Sequence, residues 1–148
     1  MEGVVYLKPK EEDLPRITAI LEEARGNIRE LKADDFLVAI LGGKIIGCGR
    51  IRKLPGGALE LSSVAILQEY RGRGIGSEII RGLLKKVGDK PVYLECFGEK
   101  ETFYRPFGFE IAAEDDLPLG FKEEFIFLKR LFADKGKTAI AMKRAVKA

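Results

Sequence analysis

Hydrophobic residues recur along the chain with two different spacings, and the wider spacing predicts helices. Apolar residues three or four positions apart in Leu14–Ala24 and in Ile75–Val87 form one face of an amphipathic helix in each segment. Phe121–Ala133 is predicted to be a third helix. Shorter helical segments are expected at Ile28–Lys32 and at Glu99–Arg105.

Short apolar runs bounded by turn signals predict β-strands. Gly42-Gly43 and Pro55-Gly56-Gly57 are such signals, so the runs around them are expected to form an antiparallel meander of three strands. The helix at Ile75–Val87 joins the fourth run to the fifth, and such a crossover makes these two strands parallel. The prediction is an α/β fold with one mixed central sheet. The predicted strands are Val4–Lys8, Phe36–Leu41, Lys44–Lys53, Leu59–Leu67, Val92–Phe97, Phe109–Ala112 and Thr138–Val146.

The composition is typical of one folded domain, predicted to span residues 1–148. Hydrophobic residues make up 46% and charged residues 33% of the chain, a balance that excludes the disordered and membrane classes. No apolar run approaches the roughly 18 residues that a membrane span needs, and the start of the chain lacks signal-peptide features, so a cytoplasmic protein is expected. Low amide content with many Lys and Glu is a thermophile tendency.

The absence of histidine removes several catalytic classes. Ser-His-Asp and Cys-His mechanisms and His-based zinc sites are excluded, so any general base must be Asp, Glu, Lys, Tyr, Cys or a water. Cys48 and Cys96 are isolated and are expected to be reduced core residues, with no metal site. The net charge of +3 is interspersed, and no basic block with aromatic residues suggests a nucleic-acid partner.

A glycine-rich segment lies between the fourth predicted strand and the helix that follows. This glycine loop, Arg71–Gly76, contains Gly72 and Gly74 and ends on a third glycine. The first N–H groups of a helix have no intrahelical partner, glycine lets an anion approach them, and the helix dipole favours negative charge. The loop is therefore a candidate pyrophosphate site, and an ordinary strand-to-helix loop is the alternative. A Rossmann fingerprint fits less well, because its third glycine would fall at Ser77 and antiparallel hairpins precede it.

The same segment resembles the coenzyme A signature of the GNAT superfamily of N-acetyltransferases, and it reads Arg71-x-x-Gly74-x-Gly76 in this chain. The order of predicted elements is similar to that family over nearly the whole chain. The resemblance implies the GNAT fold, in which two parallel strands splay apart, and acetyl-CoA as the co-substrate. It implies that backbone groups hold the pantetheine arm at Val64, Ala65 and Ile66. The residues that it implies for the pyrophosphate are Arg71, Gly72, Arg73, Gly74, Ile75, Gly76 and Ser77.

A second segment, Phe103–Phe109, resembles the family's Tyr-x-x-x-Gly-Phe motif. The resemblance implies that Tyr104 donates a proton to the departing thiolate, a step that a neighbouring hydrogen-bond donor makes easier. The alternative is a buried aromatic residue with a satisfied hydroxyl. Many members carry an asparagine seven residues before that tyrosine, in contact with the pantetheine. The chain departs from the family there, because it has Phe97.

The general base has two candidates. Glu60 stands eleven residues before Arg71, a spacing similar to that of the glutamate with which histone-acetylating members deprotonate the amine. The alternative for Glu60 is a solvent-facing strand residue. Glu95, near the end of the next strand, is the second candidate. Cys96 as a covalent acetyl carrier is disfavoured, because no histidine is present to activate it.

The expected activity is direct transfer of the acetyl group from acetyl-CoA to a primary amine. Tyr93–Cys96 and the Leu117-Pro118 segment before a helix are similar to amino-acid N-acetyltransferases, which favours an amino acid or another small amine as acceptor. A protein N-terminus or a lysine side chain stays open as the acceptor. The alternative function is a non-catalytic acyl-CoA-binding module. Exposed strand edges can pair between subunits, so a homodimer stays open as well.

Overall fold

The computed structural model describes residues 2–144, and it contains seven strands and four helices of at least four residues in that range. The strands are β1 (Val5–Leu7), β2 (Phe36–Leu41), β3 (Lys44–Lys53), β4 (Leu59–Ile66), β5 (Val92–Phe97), β6 (Phe109–Ile111) and β7 (Ala139–Arg144). The helices are α1 (Leu14–Glu23), α2 (Ile75–Val87), α3 (Glu101–Tyr104) and α4 (Leu119–Ala133). The part of the predicted last strand that reaches Val146 lies outside the described residues.

The strands form one seven-stranded mixed sheet in the order β1-β2-β3-β4-β5-β7-β6, which confirms the α/β prediction. β2 pairs antiparallel with β3, as the turn at Gly42-Gly43 predicts. β4 pairs parallel with β5, with Leu59 opposite Val92, as the helical crossover predicts. β7 pairs antiparallel with both β5 and β6.

The chain divides into two compact units, which share the strands β3 and β4. The first unit contains the described residues up to Ile51 and the segment Leu61–Gly88. The second unit contains Arg52–Glu60 and the described residues from Asp89 onward. That residues 1–148 form a single domain stays a prediction.

In the first unit, α1 and α2 each bury the apolar face that the sequence pattern predicts. Ile17 and Leu21 of α1 belong to a core cluster with Phe36 of β2. Gly49 of β3 lies close to α2, because a Cβ at this position would meet Ile79 Cγ2 at 2.8 Å. The missing side chain therefore lets α2 lie directly against the sheet, which sets the position of the glycine loop at its N-terminus.

The prediction of a helical turn at Ile28–Lys32 is wrong. The segment between α1 and β2 has no helix until a short 3₁₀ turn at Ala33–Asp35. The Asn27 side chain accepts a hydrogen bond from the Arg29 N–H at 2.8 Å, and Glu30 has a φ of 49°. A side-chain bond of this kind and a left-handed residue both compete with helix formation.

In the second unit, α4 packs its buried face on β5 and β7. Phe121 and Phe125 of α4 share a core cluster with Tyr93 of β5 and Ala141 of β7. The rings of Phe121 and Tyr93 lie 5.7 Å apart. The helix starts at Leu119, two residues before the predicted start.

We predict that Gly120→Ala destabilises the protein by about 1–3 kcal/mol. A Cβ at this position of α4 would lie 2.8 Å from the backbone oxygen of Pro55, which cannot move aside as a flexible side-chain end could. Urea unfolding monitored by circular dichroism measures the change, and Glu123→Ala on the exposed face of the same helix is the control. Stabilisation by Gly120→Ala, as helix propensity alone would give, contradicts the prediction.

Candidate active site

The glycine loop leads into α2 through a left-handed residue. Gly74 immediately precedes the helix with a φ of 82°, and the Glu78 N–H donates to the Gly74 carbonyl at 3.1 Å. The amides that precede Glu78 in the first turn have no residue within the helix to bond, and they point out of its N-terminus. A Cβ at Gly72 or at Gly74 would find no heavy atom within 4 Å, so the space in front of these glycines is open. The loop thus has the donors and the room that a phosphate group needs.

Two arginines border the glycine loop. The Arg71 Nε donates a hydrogen bond to the Ile66 carbonyl at 2.9 Å, which links the loop to the end of β4. The Arg73 guanidinium lies 5.8 Å from the ring centre of Tyr70. Tyr70 therefore packs against a cation. Both arginine residues are exposed, so their positive charge adds to the attraction for an anion.

β4 has a local distortion just before Val64–Ile66, the segment predicted to hold the pantetheine arm. Ser63 has a φ of 57°, a left-handed conformation that few residues other than glycine adopt. The Ser63 hydroxyl accepts a hydrogen bond from Arg50 Nε at 3.0 Å and donates one to the Asn27 carbonyl at 2.7 Å. Side-chain hydrogen bonds therefore hold β4 in this conformation.

Arg50 is a buried cation that sequence reasoning missed. It is fully buried, and its guanidinium donates to the carbonyls of Arg29 at 2.9 Å and Glu30 at 3.2 Å. The guanidinium also lies 5.6 Å from the Phe36 ring centre. Arg50 thus ties the segment after α1 to β4. The signal in the sequence is a charged residue inside the apolar stretch of β3.

Glu60, the first candidate for the general base, is not a solvent-facing strand residue. It is 2% exposed, and its Oε1 accepts a hydrogen bond from Arg52 Nε at 2.7 Å. Arg52 Nη2 also lies 3.2 Å from an oxygen of Glu124 on α4. Sequence reasoning missed Arg52 and Glu124, because Glu124 is distant along the chain. The three side chains form a buried charged network within the second unit.

Tyr104 is the last residue of α3, and its side chain is half-buried. Desolvation by burial is the main reason why its pKa rises to about 12, and the nearby Cys96 adds to the rise. Its ring contacts Phe103 at 5.0 Å and Phe109 at 6.1 Å between centroids. The hydroxyl therefore keeps its proton through the neutral range, which a proton donor requires.

The two cysteines are poor nucleophiles in this environment. Burial raises the pKa of Cys48 to about 12 and that of Cys96 to about 11. The thiolate is the reactive form of cysteine, so both side chains are present almost entirely as unreactive thiols at neutral pH. The structure thus gives no support to Cys96 as an acetyl carrier.

Phe97, the residue at which the chain departs from the family pattern, lies among other large side chains. Its ring packs edge-on against Phe132 of α4 at 4.9 Å between centroids, and Lys137 Nζ lies 5.0 Å from its centroid. An aromatic ring cannot supply the amide contact that asparagine makes. In this chain the position instead contributes an apolar wall.

Within residues 2–144, no three His, Cys, Asp or Glu side chains are grouped closely enough to hold a metal ion. In the same range, no helix is both long and apolar enough to cross a membrane.

The predicted cofactor-binding residues all belong to the first unit, whereas Tyr104 and Glu60 belong to the second.

Residues 32–111 match the family model described as the acetyltransferase (GNAT) domain. The match spans more than half of the chain, so this protein belongs to the GNAT acetyltransferase family. An uncharacterised protein of Mycobacterium leprae is 36% identical over 67 residues, which cover 43% of this chain and 19% of that protein. This chain thus matches about a fifth of the length of that relative.

Solved structures share the fold at low sequence identity. N-acetylglutamate synthase from Neisseria gonorrhoeae, complexed with coenzyme A and N-acetyl-glutamate, has a TM-score of 0.76 and 17% identity, over 100% of this chain and 36% of that one. A Mycobacterium tuberculosis protein in complex with CoA has a TM-score of 0.70 and 23% identity, over 97% of this chain and 99% of that one. A GNAT-family acetyltransferase from Staphylococcus aureus has a TM-score of 0.71 and 16% identity, over 97% of this chain and 99% of that one.

We predict that Gly74→Glu abolishes the binding of coenzyme A, because it places a side chain and a negative charge in the open space before α2. Isothermal titration calorimetry measures the affinity. Gly56→Glu is the matched control, since Gly56 also has a positive φ, of 90°, and open space around its Cβ position. Equal affinity of the Gly74→Glu variant and the wild type would rule out the glycine loop as the binding site.

Proposed function

We propose that this protein transfers the acetyl group of acetyl-CoA directly to a primary amine. The observation that carries the proposal is the open glycine loop at the N-terminus of α2, in a chain that belongs to the GNAT acetyltransferase family. The helix end offers amide donors and a favourable dipole to a pyrophosphate, and two exposed arginines add positive charge. Structural neighbours that were solved with coenzyme A support this choice of co-substrate.

The main chain of the first unit would hold the co-substrate. The amides from Arg71 to Ser77 would bind the pyrophosphate, and the backbone of Val64–Ile66 would bind the pantetheine arm. The Ile66 N–H would polarise the thioester carbonyl and stabilise the oxyanion. The Arg71 side chain supports this arrangement, because its hydrogen bond to the Ile66 carbonyl orients the end of β4.

Acetyl-CoA supplies a thioester whose carbonyl carbon the amine attacks, so that a C–N bond forms and the C–S bond breaks. Tyr104 would donate its phenolic proton to the departing sulfur. The phenol of Tyr104, with its pKa raised to about 12, is protonated when the reaction begins, so a proton is present for the thiolate. The proton that the amine loses would pass through water to a carboxylate, and solvent exchange would restore the phenol.

Glu60 is our proposed proton acceptor. Arg52 orients its carboxylate through the 2.7 Å hydrogen bond, and Glu124 holds Arg52 from α4. The buried network therefore fixes the direction of the carboxylate, as a positioned base requires. The alternative is a purely structural ion pair, and the two roles differ in what their removal changes.

The proposed acceptor is an amino acid or another small amine. The Leu117-Pro118 segment before α4 supports this class, because it is similar to amino-acid N-acetyltransferases. A structural neighbour that synthesises N-acetylglutamate supports it as well. A non-catalytic acyl-CoA-binding module would keep the glycine loop but would release no thiol with any amine.

We predict that Tyr104→Phe lowers kcat by about 100-fold or more and leaves the affinity for coenzyme A nearly unchanged, because the ring stays and only the proton donor is lost. Thiol release from acetyl-CoA measures the rate, and calorimetry measures the affinity. Tyr6→Phe in β1 is the control, with wild-type turnover expected. A Tyr104→Phe variant that turns over at the wild-type rate would remove the acid role.

We predict that Glu60→Gln lowers kcat by about 100-fold at neutral pH, because the amide keeps the shape of the side chain but cannot take a proton. Thiol release measures the rate, and thermal unfolding measures the stability of the same sample. Arg52→Lys should lower kcat by a smaller factor, since one cation stays beside the carboxylate. A lower Tm with full turnover in Glu60→Gln would show that the ion pair is structural only.

A further inference from the structure

A bend in β4 lies directly before the segment that the proposed function assigns to the pantetheine arm. Ser63 has a φ of 57°, whereas residues of a regular strand have a negative φ. Neighbouring side chains of a regular strand project from opposite faces, but the hydroxyls of Ser62 and Ser63 both lie near Arg50 Nε, at 3.3 Å and 3.0 Å. The regular alternation of β4 is therefore interrupted at Ser63. We call this position the β4 bend.

Three groups from outside β4 bond to Ser63 in the bend. Arg50 Nε donates a hydrogen bond to its hydroxyl at 3.0 Å, and the same hydroxyl donates to the Asn27 carbonyl at 2.7 Å. The Cys48 thiol donates to the Ser63 carbonyl at 3.5 Å. Cys48 and Arg50 are two residues apart on β3, so both project from the same face of that strand. The bend is thus bonded through its side chain and through its main chain.

These hydrogen bonds offset the cost of the left-handed conformation. A residue with a Cβ disfavours this region, whereas glycine adopts it freely. A hydrogen bond from a charged donor, such as the Arg50 guanidinium, is stronger than one between neutral groups. A residue at position 63 that has a Cβ but no hydroxyl would lose this compensation and would favour a negative φ.

The segment after the bend has a defined orientation relative to β3. The Leu67 N–H donates to the Ile46 carbonyl at 2.9 Å. Main-chain groups of successive strand residues point to opposite edges, so the groups of Ile66 point away from β3. The hydrogen bond from Arg71 Nε to the Ile66 carbonyl at 2.9 Å agrees with this direction. The N–H that we propose for the oxyanion therefore faces the edge of β4 opposite to β3.

Two side chains of this segment fit closely over glycines of β3. A Cβ at Gly47 would lie 2.5 Å from Ile66 Cδ1, and a Cβ at Gly49 would lie 3.3 Å from Val64 Cγ2. Ile66 and Val64 therefore pack where β3 has no side chain. A change of φ at Ser63 would rotate both side chains out of these positions, and it would turn the main-chain groups of the segment with them.

We propose that Arg50 and Ser63 are positioning residues of the acetyltransferase. They hold the β4 bend, so that the backbone of Val64–Ile66 meets the pantetheine arm and the Ile66 N–H meets the thioester carbonyl. In this role both side chains act through the main chain of β4 and transfer no proton. This inference rests on the proposed acetyltransferase function and deepens it.

The first test replaces Ser63 in two ways that remove the same hydroxyl. Ser63→Gly can keep a φ of 57°, whereas Ser63→Ala favours a negative φ. We expect Ser63→Ala to weaken the affinity for coenzyme A by about tenfold, and Ser63→Gly to stay within about threefold of the wild type. Isothermal titration calorimetry measures both. Ser62→Ala is the matched control with wild-type affinity expected, because Ser62 also faces Arg50 Nε but has no positive φ.

ADP separates the pantetheine segment from the glycine loop, because it carries the diphosphate but no pantetheine arm. Calorimetry should give the same affinity for ADP in the wild type and in these variants. A parallel loss of ADP and coenzyme A affinity in Ser63→Ala would indicate a general disturbance of the fold and would contradict the inference. Equal losses of coenzyme A affinity in Ser63→Ala and Ser63→Gly would contradict it as well.

Turnover should follow the same order, because the bend also orients the Ile66 N–H. Thiol release from acetyl-CoA is measured with ethylamine and with glutamate as acceptors. We expect kcat to fall at least about tenfold in Ser63→Ala and to stay within about threefold in Ser63→Gly. A purely structural role would lower Tm in both variants, which lose the same hydrogen bonds, and would leave the turnover of the folded protein unchanged.

The second test asks whether Arg50 acts through the bend. Arg50→Lys keeps the charge but loses the planar group that reaches Ser63 and the carbonyls of Arg29 and Glu30 together. We expect a lower Tm and a weaker affinity for coenzyme A. Adding Ser63→Gly should restore the affinity to within about threefold of the wild type while Tm stays low, since glycine adopts the bend without a partner. Affinity that is not restored would overturn the role of Arg50. If Arg50→Lys does not fold, the Ser63 variants, which keep Arg50, decide the proposal.

The outcomes separate failure of this inference from failure of the proposed function. If the wild type binds coenzyme A but releases no thiol with any amine, the acetyltransferase proposal fails, and the affinities of the Ser63 variants still decide whether the bend positions the pantetheine segment. A wild type that binds no coenzyme A would remove both proposals. Normal turnover in the wild type and in Ser63→Ala would leave the function standing and overturn the inference. A crystal structure of Ser63→Ala with an unchanged φ at position 63 would overturn it too.

Discussion

The amide groups of the first turn of α2, which have no partner within the helix, are the physical feature on which the proposed chemistry depends. Gly74 immediately precedes the helix in a left-handed conformation, and the space around its Cβ position is open. Gly49 of β3 supports this arrangement, because the absence of a side chain there lets Ile79 of α2 lie directly against the strand. An anion bound at this helix end would accept hydrogen bonds from amides that have no partner within the helix.

Two buried arginines on β3 organise the polar interior. Arg50 holds the left-handed Ser63 of β4 and two carbonyls of the segment after α1. Arg52 is held between two carboxylates, those of Glu60 and Glu124. A buried charge is costly unless it is paired or hydrogen-bonded, so each arginine requires its partners to stay in place. Two of these partners lie in or next to the segments that the proposed function uses: Glu60 is the proposed proton acceptor, and Ser63 immediately precedes Val64–Ile66.

The predictions from sequence succeeded where the pattern was long and local. The bounds of α2 follow from its apolar spacing, and its crossover correctly predicts the parallel pairing of β4 with β5. The prediction at Ile28–Lys32 failed, because the Asn27 side chain competes with the helix locally and the distant Arg50 binds the carbonyls of Arg29 and Glu30. The burial of Glu60 could not be predicted either, since its partner Arg52 is bound in turn by Glu124, 72 residues further along the chain.

The sequence by itself determined the glycine loop, the helices with regularly spaced apolar residues, and the strand β4 that leads into the loop. These features depend on residues that are close together in the chain. The sequence also placed Tyr104 in a motif before Gly108. The tertiary structure alone decided that Glu60 is buried in an ion pair, that burial raises the pKa of Tyr104, and that residues of β5 and α4 line a pocket at Glu95. Burial and electrostatic environment come from side chains that are distant in sequence, and only folding brings them together.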